Sequence, residues 1–208
     1  MAGYDSIVNE LSKWIDDKRL KHSYGVSECA AKLAEHYGAD ADKARLAGLI
    51  HDCAKNLPDQ EALRLCKKYH FQPDAISCMN KALLHAPLGA LLAQEIFGIH
   101  DREILDAIAC HTTGKKGMSL FEKIICLADY IEEGRRYEGV DNIRSLAFKD
   151  INKALLTAFE LSIRNVLDRG KLLHPMTVES RNAILLEIEN EDKSRQLASL
   201  KNQQPIES

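Results

Sequence analysis

The sequence holds no C-x-x-C pair, no apolar run long enough to cross a bilayer, and no large surplus of charge of either sign. Each absence excludes a class. A membrane span needs roughly 18 or more consecutive apolar residues, and stretches such as Ala90-Leu91-Leu92-Ala93 are broken at once by Gln94 and Glu95. No membrane partner is expected. With 28 Lys and Arg against 31 Asp and Glu, a formal net charge of -3 argues against a strongly basic nucleic-acid binder. The 45% hydrophobic content argues against a disordered acidic chain. The six cysteines, Cys29, Cys53, Cys66, Cys78, Cys110 and Cys126, lack the spacing of a zinc ribbon, and 208 residues are too many for a small disulfide scaffold. Most fall among Ala, Ile and Leu and are read as core thiols. Met1 through Trp14 shows no basic region followed by an apolar block and a cleavage site, so no secretory signal is read and a cytoplasmic location is expected.

Apolar/polar alternation with turn signals is also missing, whereas apolar residues recur three and four apart. The expected fold is all-α. Tyr4, Ile7, Val8, Leu11, Trp14 and Ile15 form a first stripe. Val26, Cys29, Ala30, Leu33 and Tyr37 form a second, stopped by Gly38, and Ala44, Ala47, Ile50 and Ala54 a third, opened near Asp40 and stopped at Asn56-Leu57-Pro58. Helices are predicted around 59–70, 75–84 and 87–97, then from Asp101 through Ile108 to the polar loop Thr112-Thr113-Gly114. Ser119 and Glu122 have capping-box spacing ahead of a helix running to about Gly134. Stripes at 150–168 and 178–190 complete the set. With no repeat or low-complexity linker, residues 1–190 read as one domain and 191–208 as a polar, frayed tail. The Trp14 stripe and the 150–168 helix could serve the core or a homodimer interface, and both uses stay open.

What the chain does have is histidine, 8 residues against 5 Phe. His22 projects from the apolar stripe four residues before Val26. His51 follows Ile50 and precedes Asp52, His111 stands three after Ile108, and Asp129 four after Ile125. Burying these polar groups is costly unless they share a partner, and a divalent cation satisfies imidazole nitrogen and carboxylate oxygen together. Bundled helices are a known way of assembling such a site. For any one histidine the plainer account is a core or capping ring bonded to a backbone carbonyl. That account weakens when several ligand types face inward on different helices. His36, His70 and His100, with neighbours Glu35, Lys68 and Asp101, are given no chemistry.

His22, His51-Asp52 and Asp129 resemble the H…HD…D signature of the HD-domain metal-dependent phosphohydrolases. The segments LKHSYGV, AGLIHDCAKNLP, LLHAPLGA, ACHTTG and CLADYIEEGR, in that order, are similar to the bacterial YqeK-like family of symmetrical diadenosine-tetraphosphate hydrolases. The likeness runs from about residue 7 to residue 188. It implies an all-α, single-domain HD-type helical bundle that cleaves the dinucleotide into two ADP by metal-activated water. His22, His51, Asp52 and Asp129 would hold iron, with Mn, Co and Zn fitting the nitrogen and carboxylate donors too. His85 and His111 would ligate a second ion, bind phosphate or protonate the leaving group. Asp52 would orient or deprotonate water, and Lys55 and Arg135 would meet phosphates. The family context alone favours these roles over solvated surface cations. The loop at Thr112 offers a phosphate contact or is an ordinary turn, and under the resemblance Arg169 and His174 in the late cationic turn would cover base or ribose, where Gly170 otherwise reads as a helix stop. His22, Asp52 and Asp129 would also touch the nucleotide. Glu133 departs from the family pattern, where a proline precedes Gly134-Arg135, and this bears on the loop conformation. The competing functions are an HD phosphohydrolase for a deoxynucleoside triphosphate or guanosine alarmone, and a non-catalytic nucleotide sensor.

Overall fold

The computed structural model describes residues 4–201, which form eleven α-helices and one 3-10 turn, with no strand among the described residues. They run α1 (Tyr4–Leu11), α2 (Asp17–Tyr37), α3 (Ala41–Ile50), α4 (Asp59–Lys68), α5 (Ala75–Met79), the 3-10 turn (Lys81–Leu84), α6 (His85–Ile96) and α7 (Arg102–Cys110). After these come α8 (Leu120–Ile131), α9 (Val140–Ala147), α10 (Ile151–Asp168) and α11 (Pro175–Lys201).

Polar caps start many of these helices where the spacing places them. Asp16, Asp40, Asp101 and Asp150 each accept a backbone N–H from the first turn of the helix that follows. Ser119 and Glu122 make both halves of a capping box ahead of α8. Gly38 ends α2 at φ 73°, and its N–H reaches the carbonyls of Ala34 and Glu35.

The centre of the bundle is α8. Phe121 through Ala128 are all buried, as expected of a helix with neighbours on every side. It packs on α2, α3, α7, α9 and α10, while α6 lies on α7 and α11 on α10. Close approach of α2 and α3 depends on Gly48, where a Cβ would stand 2.9 Å from the Ser27 Cα. Ser27 Oγ crosses the same gap to the Arg45 carbonyl at 2.7 Å. One buried polar bridge joins three helices: the Lys123 ammonium on α8 donates to Asn152 Oδ1 on α10 at 2.9 Å and to the Glu187 carboxylate on α11.

The structure departs from the sequence reading at five places. The capping-box helix stops at Ile131, short of Gly134, because Glu132 takes an extended ψ of 155°. The predicted 75–84 helix is broken at Asn80 into α5 and the 3-10 turn. α9 carries no signal read from the sequence, since its start is Gly139 at φ 89° with no side-chain cap. Cys78 is exposed rather than core, although Cys53, Cys66, Cys110 and Cys126 are buried. α11 also continues past Asn190, with exposed residues at 191–198 still helical; the rest of the predicted frayed tail, 202–208, lies outside the described residues. The Trp14 stripe and α10 both pack within this chain.

Candidate metal centre

Three histidines stand where a helix or turn ends. His51 follows α3, His85 follows the 3-10 turn and His111 follows α7. At such ends the last carbonyls have no helical partner. Each ring uses one: Nδ1–H donates to the carbonyl three residues earlier, His51 to Gly48 at 2.7 Å, His85 to Ala82 at 2.5 Å and His111 to Ile108 at 2.8 Å. The bond engages Nδ1 and fixes the ring, so each Nε2 faces a common space.

His22 reaches that space from the first turns of α2, and Asp129 from α8. His22 Nε2 lies 2.9 Å from Asp129 Oδ1 and 3.8 Å from Asp52 Oδ2. His51 Nε2 lies 3.5 Å from Asp52 Oδ2 and 3.7 Å from Asp129 Oδ1. Asp52 is 2% exposed, and its Oδ1 stands 3.1 Å from His85 Nε2. His85 and His111 bring their Nε2 atoms to 3.0 Å, an arrangement of two lone pairs that needs a donor nearby. The Thr112 hydroxyl, 3.0 and 3.1 Å from the two nitrogens, and the Lys55 ammonium, 3.1 Å from His85 Nε2, can supply it.

Charge follows from this crowding. Burial disfavours an imidazolium at His51, but Asp52 and Asp129 outweigh it and push the ring up to about 10. Burial opposes ionisation of both acids too, yet the surrounding rings, and Arg135 beside Asp129, hold them well below the usual carboxylate range. His85 moves the other way, down to about 4, through burial first and then the neighbouring Lys55 ammonium, against the pull of Asp52. Burial likewise lowers Lys55, against the pull of Asp52 and Asp129. The His51 side of the cluster therefore binds positive charge, and the His85 side presents a neutral ring.

These residues fit a divalent metal. His51 Nε2 and Asp52 Oδ1 are buried with no hydrogen-bond partner, a costly condition that coordination would relieve. Ligand atoms of His22, His51 and Asp129 lie within 4.8 Å of one another, as do those of His51, Asp52 and His111. Nitrogen and carboxylate donors without thiolate suit Fe, Mn, Co or Zn better than Ca or Mg.

A cavity of about 990 Å³ opens from the centre. Lys55, His111, Thr112, Asp129 and Arg135 wall its inner end, and Tyr137, Leu161, Arg164, Asn165 and Arg169 its outer end. Arg135 Nε donates to the Asp129 carbonyl at 2.7 Å, and its second nitrogen pairs with Asp129 Oδ1. The structure thus brings His22, His51, Asp52, Lys55, His85, His111, Thr112, Asp129 and Arg135 together, with Arg169 on the same cavity. His174 does not line it. Its Nε2 is engaged by Asp74 at 3.1 Å, and its Nδ1 accepts from Met176 N.

Two charged groups of the centre escaped the sequence reading. Arg19, three residues before His22 on α2, donates to Asp52 Oδ2 at 2.7 Å. Glu132, three after Asp129, sits 3.1 Å from His22 Nδ1. A three-residue offset from each ligand was the available signal. Glu133, the position that departs from the family pattern, has a side chain 95% exposed and does not enter the centre.

An all-helical bundle with a buried His, His-Asp and Asp cluster defines the class of metal-dependent HD hydrolases. Residues 19–134 match the HD domain family model. The chain belongs to that family, in its YqeK-like branch. It is 42% identical over 173 residues to a symmetrical bis(5'-nucleosyl)-tetraphosphatase of Halalkalibacterium halodurans, a match covering 83% of this chain and 92% of that protein. A Bacillus subtilis protein of the same name is 39% identical over 172 residues, with the same shares covered. A crystal structure from Clostridium acetobutylicum, described as a predicted HD superfamily hydrolase involved in NAD metabolism, superposes with a TM-score of 0.87. It is 45% identical, over 90% of this chain and 99% of that one.

Proposed function

We propose that the protein hydrolyses diadenosine tetraphosphate symmetrically, giving two ADP. The observation that carries the reading is the pair of unpartnered buried atoms, His51 Nε2 and Asp52 Oδ1, at the inner end of a cation-walled cavity. The tetraphosphatase relatives, matched over nine-tenths of their own length, supply the substrate.

His22, His51, Asp52 and Asp129 hold the metal, iron in the first instance, with Mn, Co or Zn as alternatives and His85 and His111 available to a second ion. When bound, the metal supplies an acidified water and neutralises a phosphoryl oxygen. Hydrolysis forms one P–O bond to the water oxygen and breaks the bond between the same phosphorus and the central bridging oxygen, which leaves with the second ADP. Asp52 orients the water and accepts its proton. Lys55 and Arg135 offset phosphate charge, Arg135 with a fork suited to two oxygens. His85, His111 and Thr112 contact the phosphate beside the leaving oxygen. The outer end of the cavity receives a nucleoside, with Arg169 against base or ribose.

Elemental analysis followed by product chromatography on the same preparation tests this. Bound transition metal and ADP as sole product are expected. ATP with AMP, or tight nucleotide binding without turnover in Fe(II) or Mn(II), would sink it.

A further inference from the structure

Three of the clustered histidines are oriented by one device, and His22 is not. It lies inside α2, where the neighbouring carbonyls serve the helix's own hydrogen bonds. Its Nδ1–H turns instead to Glu132 Oε1 at 3.1 Å. Glu132 is only 5% exposed, and its other oxygen accepts from Gly134 N at 2.5 Å. Two glycines make room for this carboxylate. A Cβ on Gly25 would overlap Glu132 Oε2, and one on Gly134 would come within 2.9 Å of both oxygens. Gly25 is three residues after His22, on the same face of α2, so one helix carries both the ring and the gap that admits its partner. Arg144 holds the segment in place, donating to the carbonyls of Ile131 at 3.0 Å, Glu132 at 2.8 Å and Arg135 at 3.1 Å.

We propose that Glu132 is a positioning residue for metal binding: its carboxylate fixes the orientation and Nδ1–H tautomer of His22, turning Nε2 toward Asp129, and Gly25 is the clearance it requires. A carboxylate behind a ligating imidazole also raises the ring's basicity. The inference rests on the metal reading of the centre and is independent of the substrate.

The test titrates Zn(II) into metal-free wild type, Glu132→Gln, Glu132→Ala and Gly25→Ala of the full chain, against a chromogenic chelator, with circular dichroism on each. Zinc affinity is expected to fall ~10- to 100-fold in Glu132→Ala. The loss is smaller in Glu132→Gln, whose amide oxygen still accepts from Nδ1–H. Gly25→Ala also weakens zinc binding, and adds nothing on top of Glu132→Ala because the group it displaces is gone. In the zinc-loaded protein the His22 Nδ1–H resonance is present in wild type, shifted in the Gln variant and lost in the Ala variant. A purely structural Glu132 would lower thermal stability and leave affinity and resonance unchanged. Wild-type zinc affinity in Glu132→Gln and Glu132→Ala, or full additivity of Gly25→Ala, overturns the proposal. If Glu132→Ala does not fold, the Gln titration and the His22 resonance decide. Dinucleotide turnover enters no readout, so failure of the substrate assignment leaves the result intact.

Discussion

At the inner end of the cavity His51, His85 and His111 are at most 4% exposed and tied by backbone carbonyls, whereas at the outer end Tyr137, Arg164 and Asn165 stand exposed on a loop and the last turns of α10. The inner groups have almost no rotational freedom to lose. Of the outer ones Tyr137 is held by its hydroxyl on the Tyr130 carbonyl at 2.9 Å, while ordering the exposed Arg164 and Asn165 on a ligand costs side-chain entropy but tolerates variation in it. On the proposed function, the contrast separates a chemical end, where small displacements are expensive, from a binding end, where they are absorbed.

That contrast can be broken by substitution. The largest effect is expected at the inner end: His51→Ala should remove bound metal and lower turnover by more than ~10³-fold, with helical content retained, as read by elemental analysis, rate and circular dichroism. Full activity in that variant would remove His51 from the centre. Arg135→Lys comes next, keeping charge but losing the fork, with a fall of ~10- to 100-fold in kcat/KM. Tyr137→Ala probes the outer end. If a base stacks on this ring, KM should rise ~5- to 10-fold with kcat nearly unchanged; a kcat loss instead would erase the distinction between the ends. The smallest effect lies outside the cavity, at Asp74, which caps α5 and engages His174. Asp74→Ala should cost about 1 kcal/mol in urea unfolding at neutral pH. The Ser77 hydrogen bonds, then His174, hold the Asp74 carboxyl below its ordinary value. A lowered folded-state pKa gives stability that is present above the usual Asp range and lost as pH falls through the folded value. The gap between wild type and variant should therefore close in acid.

Much of the inner end was legible because burial imposes periodicity: His22, Asp129 and His111 each keep helical spacing with apolar residues that are themselves buried. Arg19 and Glu132 were not legible, since a charge beside charges usually marks a solvated face, and only the fold shows them aimed inward. The outer end was nearly silent. Its α9 starts at a glycine without a side-chain cap, and its apolar stripe is short, Val140, Ile143, Leu146 and Ala147. The turn at 169–174 was found, but the Asp74 contact that occupies His174 joins residues 100 positions apart, beyond the reach of local spacing.

The bridge from Lys123 to Asn152 and Glu187 has a consequence for how far the chain can be shortened. Lys123 belongs to the central helix, six residues before Asp129, and one of its two anionic or amide partners comes from α11. Ending the protein ahead of Glu187 would strand an ammonium in the interior with a single neutral acceptor, a loss of the kind that costs several kcal/mol when one partner of a buried pair is removed. The last helix is thus a lock on the wall that carries Asp129, and it holds as far as Glu191, whose carboxylate accepts from Asn152 Nδ2 at 3.2 Å.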